Sequence, residues 1–331
     1  MRSRERSRLT NRLDPHMRPL PYLCLLLTVA CASTGKKGAS PDTEPVIPTD
    51  KWENVEAWKI SNPNENRIKS KGYLLSEMDG MVTAWNNLLL GARKGADQQR
   101  FRVLDEKISH RAAKDLRLFL EELETGPTRN RQVSAMALGF SRSNRAVAPL
   151  LAALEDSQST VRANAAFALG LLRMSDTPLG GLIAMLDAQE ANERSSASWA
   201  VSELIKAGAD GTLALEAARH GLFDTEPSVQ VHCVLILARL GDNQSLGDMG
   251  LMLHSERLLV LRAASRAITK LGLSDPHSKG RAARILTAAL LENKEGPRRI
   301  SLLRDLQLLS KSNYGDEDEA WIKWANRLPQ S

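Results

Sequence analysis

The stretch that decides the fold is VRANAAFALGLL, residues 161–172, which follows AVAPLLAALED, residues 146–156. In both segments apolar residues recur every three or four positions, which is the spacing of one face of an α-helix. The residues between them, 156–160, have the composition of a turn. The second segment is rich in alanine and glycine, and small side chains allow two helices to approach closely. Together the two segments predict a helix–turn–helix unit.

The same unit recurs along the chain at intervals of slightly more than 30 residues. The triplet ALG at 137–139 reappears 31 residues later at 168–170, and related residues follow at 200–202, 237–238 and 267–268. A unit of this size buries its apolar face only by stacking on its neighbours. The period therefore predicts an all-α protein, with an α-solenoid of about six helix pairs over residues 107–312.

This pattern resembles HEAT repeats, in particular the short HEAT-like class first associated with phycobilisome lyases. The resemblance is strongest at 126–139 and 145–172, and it becomes faint beyond residue 280. It implies a fold, and repeat scaffolds of this kind serve many different functions. The inner helices of such solenoids line a concave face, so we expect any binding residues to lie there.

Apolar helical faces flank the repeats on both sides. In the preceding region, residues 51–106, one such face runs from Leu74 to Leu89 and includes Trp85. In the following region, residues 313–331, the segment GDEDEAWIKWANRL places four acidic residues at a helix start, where the helix dipole favours them. We expect both regions to form helical caps that cover the terminal repeats.

The N-terminal segment has the features of a secretory signal. Residues 19–30 are mostly apolar, form a segment too short to cross a bilayer, and are followed by Cys31. Residues 28–31, TVAC, resemble a bacterial lipobox, which implies that Cys31 carries a lipid (a palmitate-bearing anchor) and begins the mature protein. Residues 32–50 have the composition of a flexible tether. The alternative is an ordinary signal peptide that is cleaved nearby.

The residue after the lipobox cysteine is Ala32, where an aspartate would favour retention at the inner membrane. The resemblance therefore points to the periplasmic side of the bacterial outer membrane. Processing would also change the charge of the protein. The first 31 residues contain six arginines and two acidic residues, a net charge of +4, which leaves +2 of the total +6. We therefore do not expect a nucleic-acid partner.

We find no residue pattern that predicts catalysis, a cofactor or a metal site. The histidines are scattered, and none lies in the His-Glu dipeptides by which HEAT-like iron hydroxylases hold their metal. Arginines recur near the starts of the inner helices and aspartates recur in the turns, at Arg131, Arg162, Arg194, Asp156, Asp187 and Asp224. They form either an anion-binding ladder or ion pairs that fix the stacking of successive repeats.

One column of equivalent inner-helix positions is the candidate partner-binding site. It contains Met136, Phe167, Trp199, Leu235 and Arg266. Large aromatic side chains on a concave surface are typical binding anchors. Phe167 and Trp199 would stand side by side in this column. The alternative is that their rings pack between successive repeats.

These features favour a non-catalytic, membrane-anchored scaffold that binds a protein or peptide on its concave face. A second hypothesis is a lyase-like enzyme or a chaperone for a small molecule, which would require a deep pocket with convergent polar groups. A third is nucleic-acid binding, as in HEAT-like alkylpurine glycosylases, which would require a basic concave face and a cytoplasmic location.

Overall fold

The computed structural model describes residues 70–91 and 95–329. Within these ranges the secondary structure is helical, without strands. The signal segment with Cys31, the tether 32–50 and the first part of the predicted N-terminal cap lie outside the described residues. Their predicted roles therefore stay predictions.

Twelve of the helices form six consecutive pairs, as the repeat period predicts. The outer helices are α3 (Leu116–Thr125), α5 (Val147–Ala152), α7 (Gly180–Ala184), α9 (Leu215–Gly221), α11 (Leu246–Leu251) and α13 (Pro276–Glu292). The inner helices are α4 (Thr128–Phe140), α6 (Ser159–Leu172), α8 (Ala191–Ala207), α10 (Pro227–Leu240), α12 (Leu258–Ser274) and α14 (Gly296–Ser310). Each inner helix packs against the next, from α4 to α14, and forms one continuous layer.

Small residues bring the first inner helices into close contact. A methyl group added to Gly139 of α4 would lie 2.8 Å from the Cα atom of Ala168 in α6. A methyl group added to Gly170 of α6 would lie 2.8 Å from the Cα atom of Ala200 in α8. Because both distances are far below van der Waals contact, only glycine permits this approach. The glycine of the ALG triplet therefore sets the spacing of the repeats.

Ion pairs connect successive repeats in the same region. The Arg131 guanidinium donates to both carboxylate oxygens of Asp156, at 2.7 and 3.0 Å. Arg194 binds Asp224 in the same way, with the same two distances. These arginines also donate to carbonyls of the turn that precedes their own helix. The pairing hypothesis is therefore confirmed at these two positions.

The third arginine of the series has a different partner from the aspartate in the sequence pattern. Arg162 donates to both carboxylate oxygens of Glu193, at 2.9 and 2.6 Å, and Asp187 is exposed. At the next position Gln230 donates only to the backbone carbonyl of Asp224, at 2.8 Å. The ladder of bidentate pairs thus runs from α4 to α8 and is not continued by Gln230 in α10.

Hydroxyl groups and a histidine join α8 to α10. The Oγ atoms of Ser195 and Ser228 are 2.5 Å apart, and Oγ of Ser198 lies 3.2 Å from Nδ1 of His232. Burial lowers the pKa of His232 to about 3, with a smaller contribution from the charge of Arg239. The imidazole is therefore neutral at physiological pH and acts here as a buried structural group.

Helices cover both ends of the repeat array. At the N-terminal end α1 (Lys71–Gly91) and α2 (Gly95–Lys114) pack on α4, and the Trp85 ring contacts Phe140 at a centroid distance of 5.1 Å. At the other end α15 (Asp318–Arg327) packs on α13 and buries Trp321. The predicted boundary at 106/107 falls inside α2, which continues to Lys114. The division into cap and repeats stays a prediction.

Candidate binding groove on the inner helices

The predicted column of partner-binding residues is closed at its N-terminal end. Met136, Phe167 and Trp199 are only 6%, 1% and 3% exposed. The rings of Phe167 and Trp199 stack with a centroid distance of 4.2 Å and an interplanar angle of 21°. They do stand side by side, but between α6 and α8 and not on an open surface. The alternative stated above, packing between successive repeats, therefore describes them correctly.

The same column opens toward the C-terminal end. Leu235 of α10 is half-buried, and Arg266 of α12 is exposed. Burial of a guanidinium without full compensation is unfavourable, so Arg266 stays at the surface where an aromatic ring would be enclosed. The column therefore changes along the array from buried apolar side chains to a charged, accessible one.

Arg266 lies at the edge of a groove between α12 and α14, with a volume of about 650 Å³. The residues that line it are Arg266, Thr269, Lys270, Leu273 and Ser274 of α12 and Arg304, Asp305 and Leu308 of α14. Buried residues such as Ile268 and Gly272 lie on the opposite side of α12, where a methyl group added to Gly272 would meet Ala282 of α13. The groove thus faces away from the outer helices.

Hydrogen bonds between α12 and α14 form the floor of the groove. Ser265 Oγ donates to Oδ2 of Asp305 at 2.5 Å, while Oδ1 of the same carboxyl is buried and has no hydrogen-bond partner among the described residues. Burial raises the pKa of Asp305, and its hydrogen bond with Ser265 and the charges of Arg266 and Arg304 oppose this rise. Asp305 therefore lies beneath the two arginines and attracts both of them.

The rim of the groove combines cationic and apolar side chains. Arg266, Lys270 and Arg304 are exposed. Leu273 is 47% exposed and Leu308 is 57% exposed. Leucine side chains with this much exposure lose contact with water when a ligand covers them, which favours binding.

The cationic surface continues onto α10. The Arg239 guanidinium donates to the carbonyl oxygen of Ser202 at 2.9 Å and also to its hydroxyl. Burial lowers the pKa of Lys270, and the charge of Arg239 lowers it further, so the two cations influence one another. We call Arg239, Arg266, Lys270 and Arg304 the basic strip. It runs across three successive inner helices.

The carboxylate nearest to this strip on α8 is already paired. Glu203 accepts a hydrogen bond from Arg173 at 2.9 Å and lies 3.5 Å from Nζ of Lys206. Its negative charge is therefore compensated locally, and the strip keeps its positive character.

A second concavity, of about 340 Å³, lies between α2 and the end of α4. It is lined by Glu106, Ser109, His110, Ala113, Ser141 and Arg142. Because no large apolar side chain contributes to this lining, the groove between α12 and α14 is the better candidate for a binding surface.

Two further observations apply to residues 70–91 and 95–329. No cluster of three or more His, Cys, Asp or Glu side chains in these ranges is arranged to hold a metal ion. Among the helices of the same residues, none combines the length and the apolar character that crossing a bilayer requires.

Sequence reasoning found only one member of the groove, Arg266. Lys270 and Leu273 follow it at i+4 and i+7 on α12, and Leu308 follows Arg304 at i+4 on α14. Cations and leucines at helical spacing on both helices are the signal that could have indicated the site. It was not decisive, because a leucine at helical spacing is more often a core residue.

Comparison with known proteins agrees with this architecture. Residues 116–202, from α3 to α8, match the family model of HEAT repeats. No curated protein matches the sequence. The described part of the chain is an all-α repeat solenoid, and the family match covers its helix pairs from α3 to α8.

Several solved structures are similar in fold. The designed armadillo repeat protein YIII(Dq)4CqI is 18% identical over 58% of this chain and 98% of that chain, with a TM-score of 0.47. The complex of CpcE and CpcF of phycocyanin lyase from Nostoc sp. PCC7120 is 20% identical over 58% and 94%, with a TM-score of 0.40. A designed armadillo repeat protein in complex with peptide (KR)4 is 18% identical over 59% and 99%, with a TM-score of 0.41. At this level the similarity concerns the fold alone.

Proposed function

We propose that this protein is a lipid-anchored, extracytoplasmic scaffold that binds a protein or peptide in the groove between α12 and α14. The observation that carries the proposal is the rim of that groove, where the exposed Leu273 and Leu308 lie beside the basic strip. Accessible apolar side chains next to charged groups are a common feature of binding surfaces. In this proposal the guanidinium, ammonium and leucine groups of the rim bind a partner and do not catalyse a reaction.

The repeat architecture supports this proposal physically. The inner helices form one continuous layer, so a partner can extend from the groove along α10 and further repeats. The close glycine contacts between α4, α6 and α8 give the layer a defined spacing. A defined spacing lowers the conformational cost of binding, because the surface is organised before the partner arrives.

The anchor part of the proposal rests on the resemblance of residues 28–31 to a lipobox. A lipid on Cys31 would hold the protein at the membrane, and the tether 32–50 would let the solenoid move away from the lipid headgroups. In this arrangement the groove faces partners in the periplasm, and Ala32 is consistent with the outer membrane.

Binding is tested by selection from a displayed library of random peptides on the full-length protein in a neutral detergent. A variant with Leu273→Ser and Leu308→Ser should retain few of the peptides that the unmodified protein selects. Leu213→Ser is the matched control, because Leu213 is 80% exposed and lies outside the groove. Peptides retained equally by the groove variant and the control would contradict the proposed site.

The anchor is tested separately by labelling cells with radioactive palmitate and separating their membranes. The unmodified protein should carry the label and sediment with the outer membrane, and Cys31→Ala should abolish the label. A Cys31→Ala protein that is still labelled, or an unmodified protein that is unlabelled and released, would contradict the lipid anchor.

A further inference from the structure

We infer that the groove between α12 and α14 binds an acidic peptide segment, with carboxylates against Arg266 and Arg304 and a bulky apolar side chain against Leu273 and Leu308. This inference rests on the proposed function, and it specifies the chemistry of the partner. It follows from the charge of the surface and from the way in which that charge is distributed along the groove.

The charge of the groove favours a negatively charged ligand. The described residues that line the groove include three cations, Arg266, Lys270 and Arg304, and one carboxylate, Asp305. Glu203 of α8 faces Arg239, the remaining cation of the basic strip. Glu203 is compensated by Arg173 and Lys206. The lining thus contains more cations than carboxylates, and the resulting positive potential attracts acidic side chains.

The two helices run parallel, and this gives the groove a direction. Nε of Arg262 donates to Oγ of Ser301 at 3.0 Å, and Ser265 contacts Asp305 one turn further along both helices. At the end nearer the helix N-termini the lining contains Arg266 and Arg304. At the other end it contains Leu273 and Leu308.

The spacing of these two ends predicts the spacing within the ligand. Arg266 and Leu273 are seven residues apart on α12, which corresponds to about 10 Å along the helix axis. Arg304 and Leu308 are four residues apart on α14, which corresponds to about 6 Å. An extended peptide rises about 3.3 Å per residue, so its acidic and apolar side chains should be about two to three residues apart. Lys270 lies between the two ends and can contact a second carboxylate or a peptide carbonyl.

Fluorescence anisotropy with a synthetic labelled peptide tests this inference on the full-length protein. The probe is an extended peptide with two glutamates, a short glycine and serine spacer, and two leucines. Matched peptides replace the glutamates with lysines or the leucines with serines. We expect the probe to bind, the lysine peptide to bind at least about tenfold more weakly, and added salt to weaken binding of the probe.

Variants of the protein locate the binding site. Arg304→Glu should weaken binding of the probe by about tenfold or more, and Leu308→Ser should weaken it as well. Arg145→Glu is the matched charge control, because Arg145 is exposed and lies between α4 and α5. Leu213→Ser is the matched apolar control. Thermal unfolding of every variant shows whether a loss of binding reflects a loss of folding. Lys270→Gln is a milder substitution in the same groove, for use where Arg304→Glu does not fold.

Several outcomes would overturn the inference. These are equal binding of the lysine peptide, equal effects of Arg304→Glu and Arg145→Glu, and binding of phosphatidylglycerol vesicles or oligo(dT) by a protein that does not bind the probe. Peptide selection separates this failure from that of the proposed function. If the groove selects neutral or basic peptides, the scaffold proposal stands and the acidic class is wrong; if it selects none, both are wrong.

Discussion

The contacts α6–α8 and α12–α14 show how one repeat pattern produces two different surfaces. Between α6 and α8, Gly170 lets the backbones approach, and Phe167 stacks on Trp199 to close the gap. Between α12 and α14, Arg266 occupies the position equivalent to these rings, and a groove is open. An aromatic ring gains stability from enclosure, whereas a guanidinium must keep its hydration or find full compensation. The residue in this column and the glycine contact beside it together distinguish the enclosed contact from the open groove.

The largest expected effect is on the closed contact. Phe167→Ala combined with Trp199→Ala should lower the free energy of unfolding by at least about 4 kcal/mol, because each truncation leaves a cavity in a buried region. Leu273→Ser with Leu308→Ser should change it by less than about 1 kcal/mol, since both leucines are exposed. Urea denaturation measures both values. Similar losses in the free energy of unfolding of the two double variants would contradict the distinction between an enclosed ring contact and an open groove.

The ion-pair ladder provides the next effect. Arg194→Gln should destabilise the protein by about 2–3 kcal/mol, because it removes two charge-assisted hydrogen bonds and leaves the carboxylate of Asp224 largely buried. Gln230→Ala, which removes a single hydrogen bond to a carbonyl, should cost about 1 kcal/mol. Chemical denaturation of the two variants gives the comparison. Equal losses of stability in the two variants would contradict a larger contribution of the bidentate ion pairs between the N-terminal repeats.

The glycine contact should give an effect of intermediate size. In Gly170→Ala the new methyl group would lie 2.6 Å from the Trp199 ring, so the protein should lose about 1–3 kcal/mol of stability through overpacking. Gly180→Ala is the control, because nothing lies within 4 Å of the added methyl group. The difference in urea midpoint between the two variants measures the destabilisation caused by the close approach of α6 and α8. A Gly170→Ala protein as stable as the control would show that α8 can move away from α6.

The smallest expected effect is at the floor of the groove, where the substitution should raise the free energy of unfolding instead of lowering it. Asp305→Asn should stabilise the protein by about 1 kcal/mol at pH 7, since Asp305 is buried and the substitution removes the charge of its carboxylate. Because burial raises the pKa of Asp305, the stability contributed by its protonated form is complete below pH 3.8 and is lost as the pH rises through the folded-state pKa. Denaturation across this pH range should show that loss in the unmodified protein and not in Asp305→Asn.

Much of the fold could be predicted from residue spacing. The ALG triplets and their apolar partners predict six helix pairs, and the cap helix near Trp321 follows from an acidic start and an apolar face. The boundary of the N-terminal cap could not be placed in the same way. An amphipathic pattern shows that α2 has a buried face, but not whether that face meets a repeat or a cap.

The candidate site was less predictable than the fold. Periodicity assigns Phe167, Trp199 and Arg266 to equivalent positions, but it carries no information on the distance between neighbouring helices. Leu273 and Leu308 have the spacing of core residues, and they are exposed because none of residues 70–91 and 95–329 covers that side of α12 and α14.

The sequence by itself determined the repeat, the number of helix pairs and the equivalence of positions within them, because helix formation and amphipathic stacking depend on local spacing. It also contains the lipobox-like residues before Cys31, whose role stays a prediction. Only the tertiary structure decided which side chains of one column are enclosed and which border a groove. That outcome depends on how closely two helices approach, and the approach is set by glycine contacts, ion pairs and buried polar groups between residues about 30 to 40 positions apart.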